Sequence, residues 1–236
     1  MNFIKRNIPN FITCLNLFFG CIAIIDAFQN RLADASWMIV YGAIADFFDG
    51  MAARLLKAHS PIGKELDSLA DVVSFGVAPG MILFQLIGTH PFNWIALLIP
   101  IFAAIRLAKF NIDTHQTFYF IGLPTPANAL FIASFPLIIQ NNAYWHSVYY
   151  SNVFFAVWFF VAIAVACSAM MVLPIKLFSL KIKNTSLESN KTRYTFVLLS
   201  VICFVILGYA SVPIIMLLYI VLSLLSKKSF ESPSAA

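Results

Sequence analysis

Two of the long apolar runs in this 236-residue chain each carry a pair of carboxylates, Asp46 and Asp49 in one, Asp67 and Asp71 in the next. A carboxylate at the centre of a membrane-inserted helix costs about 2.5–3.5 kcal/mol, so four left uncompensated would cost on the order of 10 kcal/mol. Something positively charged must therefore offset them. The runs themselves are not in doubt. Hydrophobic residues make up 61% of the chain, charged residues only 11%, and the mean hydropathy is +0.88. A soluble domain carries about 25% charge, so the composition is that of a polytopic, all-α membrane protein.

Runs of about twenty mostly apolar residues predict spans near 8–29, 35–56, 66–88, 91–110, 123–140, 150–173, 193–209 and 211–226. That makes about eight helices in one membrane domain over 1–228, followed by a Ser/Pro-containing tail at 229–236 read as disordered. Asp67, Asp71 and Pro79 weaken the third span, and the last two sit tightly together around Ser211 and Pro213, so six or seven remain alternative counts. The run from Ile8 to Phe28 is long enough to span and has no clear small-residue cleavage site, and is read as a retained helix.

Basic residues test this layout, because Lys and Arg concentrate in cytoplasmic loops. Lys5, Arg6, Arg54, Lys57, Lys64, Arg106, Lys109, Lys176, Lys181, Lys183, Lys191, Arg193, Lys227 and Lys228 all fall on one side, and Arg31 on the other. Both termini are expected in the cytoplasm. The net charge of +5 then reads as topology and attraction to anionic lipid headgroups, and no nucleic-acid partner is expected. Cys14, Cys21, Cys167 and Cys203 lie in apolar segments without ligand spacing and are read as small apolar groups, and the four His are scattered.

Asp46 and Asp49 are three residues apart and Asp67 and Asp71 four, so each pair shares a helix face. The stretch Lys57 to Lys64, with Ser60, Pro61 and Gly63, turns the chain between them and brings the pairs together. An all-oxygen cluster suits a hard divalent cation, Mg²⁺ or Mn²⁺, which commonly also takes ligands from substrate phosphates. Gly50 allows close approach to the backbone, and Arg54 can pair with phosphate oxygens. Two other readings compete: caps or ion pairs with Arg54, Lys57 and Lys64, and an ion pathway through a cation transporter.

The segment from Asp46 to Arg54, then Gly63, Asp67 and Asp71, matches every fixed position of D-x-x-D-G-x-x-A-R-x8-G-x3-D-x3-D. In this it resembles the CDP-alcohol phosphotransferase family. The resemblance implies a membrane enzyme that displaces CMP from a CDP-linked lipid or alcohol by attack of an acceptor hydroxyl. By similarity, Asp46, Asp49 and Asp67, helped by Asp71, hold a pair of divalent ions. Asp71 is also the general base, and Gly50, Ala53, Arg54, Ser60 and Gly63 contact the CDP moiety.

Residues 8–20, 74–80, 106–111 and 120–127 further resemble the phosphatidylserine synthase branch, so that the likeness covers roughly residues 8–180. This implies CDP-diacylglycerol and L-serine as substrates, membrane lipids around the protein, and a homodimer; the site is expected to face the cytoplasm, and the short tails without a transit peptide point to a prokaryotic cytoplasmic membrane. Related enzymes using glycerol phosphate or inositol phosphate remain the alternative. Arg106 and Lys109 are candidates for the acceptor carboxylate or lipid phosphate, Lys109 standing where family branches usually have Arg. Lys176, Lys181 and Lys183 read chiefly as topology. Gly76 and Gly80 are expected to serve helix packing, and Asn10 and Asn16 interhelical hydrogen bonding.

Overall fold

The structure, a computed structural model, describes residues 3–58, 60–112, 119–178 and 187–225. Lys181, Lys183, His59, His115 and the predicted tail lie outside the described residues. Helix α1 (Phe3–Phe28) packs along α2 (Leu32–Leu55), with Ala23, Ala27, Ala35 and Ile39 at zero exposure between them. Small side chains let the two backbones come close, the usual way of joining helices where lipid removes the hydrophobic drive to pair.

The chain reverses after α2 through Lys57, in the left-handed region at φ 52°, and α3 (Pro61–Asp71) starts five residues before the predicted span. Ser60 explains the early start: its Oγ accepts the Gly63 N–H at 3.1 Å, and Pro61 occupies the first turn, where its missing N–H is harmless. From Asp71 the rod continues as a π-helical segment, Val72–Val77, into α4 (Ala78–Ile87). Pro79 removes an N–H from this stretch and its ring crowds the carbonyl four residues earlier, which accounts for the widened turn. Gly76 and Gly80 press on Pro100 and Ala103 of α5 (Leu98–Ile112), where added Cβ atoms would come within 3.1 and 2.9 Å of side-chain carbons. They serve packing, as expected.

Beyond α5 come a short strand β1 (Tyr119–Ile121), α6 (Thr125–Asn141), the nine-residue α7 (Ala143–Ser151) and α8 (Val153–Val172). Strand β2 (Lys176–Phe178) then pairs antiparallel with β1, Phe120 opposite Leu177. Neither this ribbon nor α7 is predicted by the sequence. Helices α9 (Leu187–Leu207) and α10 (Ser211–Leu225) fold back on each other at Gly208, φ 54°, bringing the rings of Phe196 and Tyr219 to 5.6 Å.

Counting the rod 61–87 as one, eight long helices are present among the described residues, matching the all-α, polytopic expectation. Five stretches are both long and apolar enough to cross a membrane: Asn7–Phe28, Pro61–Ile87, Asn93–Ile112, Val153–Val172 and Thr192–Leu225. Helix α2 falls outside that set because it carries Asp34, Asp46, Asp49 and Arg54.

Candidate active site

After α2 the chain returns so that α3, like α2, packs on α1. Ligand oxygens of Asp46, Asp49 and Asp67 lie within 4.8 Å of one another. Asp71, one turn beyond Asp67, is buried behind them and stands outside this three-carboxylate group. Helix α1 supplies the neutral donors. Thr13 Oγ1 donates to Asp49 Oδ2 at 2.7 Å, and Asn16 Nδ2 donates to Asp71 Oδ1 at 3.2 Å.

The basic residues near the turn do not neutralise the cluster. Arg54 Nε donates to the Gly50 carbonyl at 2.8 Å and Lys64 Nζ to the Asn111 carbonyl at 2.8 Å, while Lys57 is exposed. Arg31 pairs with Asp26 and Asp34, at the far end of α1 and α2. The reading of the four carboxylates as partners of Arg54, Lys57 and Lys64 therefore fails. Asp67 Oδ1 is buried with no hydrogen-bond partner. Close, mutually repelling carboxylate oxygens with an orphaned acceptor among them are a donor set that fits a hard divalent cation.

A cavity of about 780 Å³ opens in front of the cluster, lined by Asp49 and Asp67 together with Gly50, Ala53, Arg54, Ser60 and Gly63. All five residues that the resemblance assigns to CDP thus share one cavity. Pro9, Asn10 and Thr13 of α1 and Phe110 of α5 close it. Gly63 is there for space: a Cβ would sit 2.9 Å from Asn10 Oδ1 and 3.0 Å from Ser60 Oγ.

Arg106 and Lys109 part company. Arg106 is 7% exposed, donates to Thr125 Oγ1 at 3.3 Å, and has its Nε buried without a partner. Its guanidinium lies within electrostatic reach of the Asp71 carboxylate and the Tyr219 phenol. Lys109 is exposed, as is Lys176 on the ribbon.

Thr13, Thr125 and Tyr219 are site neighbours that sequence reasoning missed. Thr13 had a signal, since Asn10, Thr13 and Asn16 recur at three-residue spacing and form a polar stripe on an otherwise apolar helix. Tyr219 had none, being brought in by the fold of the last two helices. Its hydroxyl donates to the Phe178 carbonyl at 2.9 Å, and Ser223 Oγ accepts the Phe178 N–H at 3.4 Å.

Comparison with known proteins agrees with this geometry. The family model described as CDP-alcohol phosphatidyltransferase matches residues 6–162. A protein of Helicobacter pylori strain J99 named CDP-diacylglycerol–serine O-phosphatidyltransferase is 40% identical over 142 residues, covering 58% of this chain and 59% of its own. The Bacillus subtilis protein of the same name is 45% identical over 122 residues, 50% of this chain and 69% of its own. One from Methanocaldococcus jannaschii is 37% identical over 134 residues, 57% and 62%. The match thus spans about three fifths of the Helicobacter relative's length.

Proposed function

Since this chain belongs to the CDP-alcohol phosphatidyltransferase family, we propose that it transfers a phosphatidyl group from CDP-diacylglycerol to the hydroxyl of L-serine and releases CMP. The observation that carries the reading is the single cavity in which the CDP-assigned residues meet Asp49 and Asp67, with Asp46 beside them and Asp71 behind. The acceptor rests on the relatives' names and on Arg106, whose buried, incompletely bonded guanidinium suits a carboxylate.

Asp46, Asp49 and Asp67, with Asp71 adjacent, would hold one or two divalent ions, Mg²⁺ or Mn²⁺, whose charge offsets the diphosphate and the leaving CMP. The chain's own groups do the rest. Gly50 and Gly63 leave room for the nucleotide against the backbone, and Arg54 at the cavity wall offers its guanidinium to phosphate. Arg106 holds the acceptor carboxylate near Asp71. The acceptor oxygen attacks the phosphorus bearing diacylglycerol, its proton passes to Asp71, and the P–O bond to CMP breaks. Acyl chains stay in lipid throughout.

The reading puts the site at the cytoplasmic face, supported by the gathering of Arg54, Lys57, Lys64 and Lys109 at the carboxylate end and of Arg31 at the other, and the bacterial and archaeal relatives favour a prokaryotic membrane. The homodimer is proposed on the resemblance alone, because Gly76 and Gly80 are used up inside the chain. The test is acceptor-dependent CMP release by purified protein with CDP-diacylglycerol and Mg²⁺ or Mn²⁺, comparing serine, glycerol 3-phosphate and inositol phosphate. Release with serine alone, lost in Asp71→Asn, is expected. Release with another acceptor overturns the branch, and no release with any of them overturns the transferase.

A further inference from the structure

Asn16 is wholly buried at the junction of α1, α2 and the rod that carries Asp71. Its Nδ2 donates to Asp71 Oδ1 at 3.2 Å, and its main-chain oxygen accepts Ser74 Oγ at 2.9 Å. Its Oδ1 has no partner and lies over Gly42, where a Cβ would come within 3.0 Å of it. Gly20 makes room in turn for Ser74, since a Cβ there would meet Ser74 Oγ at 2.3 Å. Two glycines on two helices thus clear space around one amide and the hydroxyl that pins it.

We infer that Asn16 is a positioning residue for Asp71, held by Ser74 and by the bare backbone of Gly42, and that it fixes which carboxylate oxygen faces the acceptor hydroxyl. The inference rests on the proposed transferase reading. The terminal torsion of an aspartate is broad, so its two oxygens exchange unless one is held. Asp71 ends α3, immediately before the π segment Val72–Val77. A single donor on Oδ1 breaks the symmetry. Among the described residues Oδ2 accepts no hydrogen bond, and it is the oxygen left for the proton.

The amide's direction follows from charge. Turned over, Asn16 would aim its oxygen at the carboxylate. With Nδ2 toward Asp71 the oxygen must go elsewhere, and Gly42 leaves the gap, at the cost of an acceptor without a donor. A helix contact needed only for packing would not require an orphaned oxygen; an apolar side chain of the same shape would serve better.

Asn16→Leu therefore separates the two roles, because it keeps the shape of the helix contact and leaves Asp71 Oδ1 without its donor. The expected result is a folded protein whose thermal midpoint falls by no more than the loss of one buried hydrogen bond accounts for, kcat down ten- to a hundredfold, and KM for CDP-diacylglycerol and for serine within about twofold. Gly42→Ala, which pushes the amide without touching Asp71, should lower kcat in the same way, and the double variant should be no worse than the more severe single. Ser74→Ala, a smaller change that folds readily, should give a several-fold fall in kcat by releasing the main-chain oxygen of Asn16. Wild-type kcat in Asn16→Leu, or a KM for CDP-diacylglycerol that rises as kcat falls, overturns the inference and leaves the transferase standing. A wild-type protein that releases no CMP with any acceptor overturns both.

Discussion

The first three helices and the last two spend the same apolar alphabet differently. In α1, α2 and α3 the polar side chains turn inward and touch across helices: Thr13 meets Asp49, Asn16 meets Asp71, and Asn10 closes on Gly63. In α9 most of the described apolar side chains turn outward. Val197, Leu198, Val201, Phe204 and Val205 are each more than half exposed, and Phe196 is the buried exception among them. Average hydropathy does not separate a catalytic helix from a lipid-facing one. What separates them is whether polar groups find partners across the helix interface, since unpartnered ones are costly at membrane depth.

The hairpin of α9 and α10 still reaches the site, by a different route. Tyr219 and Ser223 grip Phe178 of the ribbon, and Tyr219 lies close to Arg106. Neither α9 nor α10 falls within residues 6–162, which match the family model. The matched part carries the carboxylates, and α10 in the remainder holds the ribbon and reaches Arg106, the proposed acceptor contact.

The sharpest way to break this contrast is to remove a charge from the first region. Asp49→Asn keeps the shape and leaves an oxygen for Thr13 to bond, while relieving repulsion among oxygens now within 4.8 Å. CMP release should fall on the order of 10³-fold, and thermal stability in detergent should hold or rise. Activity near wild type would show that the three-carboxylate cluster is not the site.

The converse change adds a charge to the second region. Val201 is 56% exposed near the middle of α9, where no described partner awaits a carboxylate. Val201→Asp should destabilise the inserted protein by about 2.5–3.5 kcal/mol, in contrast to the four carboxylates that α2 and α3 tolerate. A denaturant titration in lipid vesicles checks it; a loss below about 1 kcal/mol would mean that this face of α9 meets water or a polar partner rather than lipid.

How much of this could be read in advance follows from how far apart the interacting residues are. The signature from Asp46 to Asp71 spans one turn and two helix faces, so spacing alone brings the carboxylates together. The start of α3 was equally local, because Ser60 and Pro61 signal an N-terminus; a hydropathy window hides it by averaging Lys64 and Glu65 into the flank. The π segment depends on how the rod settles between α1 and α5. The ribbon pairs Tyr119 with Phe178 across nearly sixty residues, and three-residue strands leave no periodic trace. Arg106 and Lys109 looked alike in sequence, one turn apart, and only the tertiary packing buried one, against Thr125 of α6, and left the other exposed.

Tyr219 ties the last two helices to the ribbon and to Arg106, so the smallest change sharpens the comparison most. Tyr219→Phe keeps the rings of Phe178 and Phe196 at 5.0 and 5.6 Å and removes only the hydroxyl that donates to the Phe178 carbonyl. Hydrogen bonds between membrane helices average about 0.6 kcal/mol, so stability should fall by about that much. The kinetic effect should be selective, because Tyr219 interacts electrostatically with Arg106, the proposed acceptor contact, while no described residue of the ribbon lines the cavity with Gly50 and Gly63. KM for serine should rise several-fold while KM for CDP-diacylglycerol stays put. Equal shifts in both would mean that the hairpin supports the whole bundle, and that bracing the acceptor side is not its particular task.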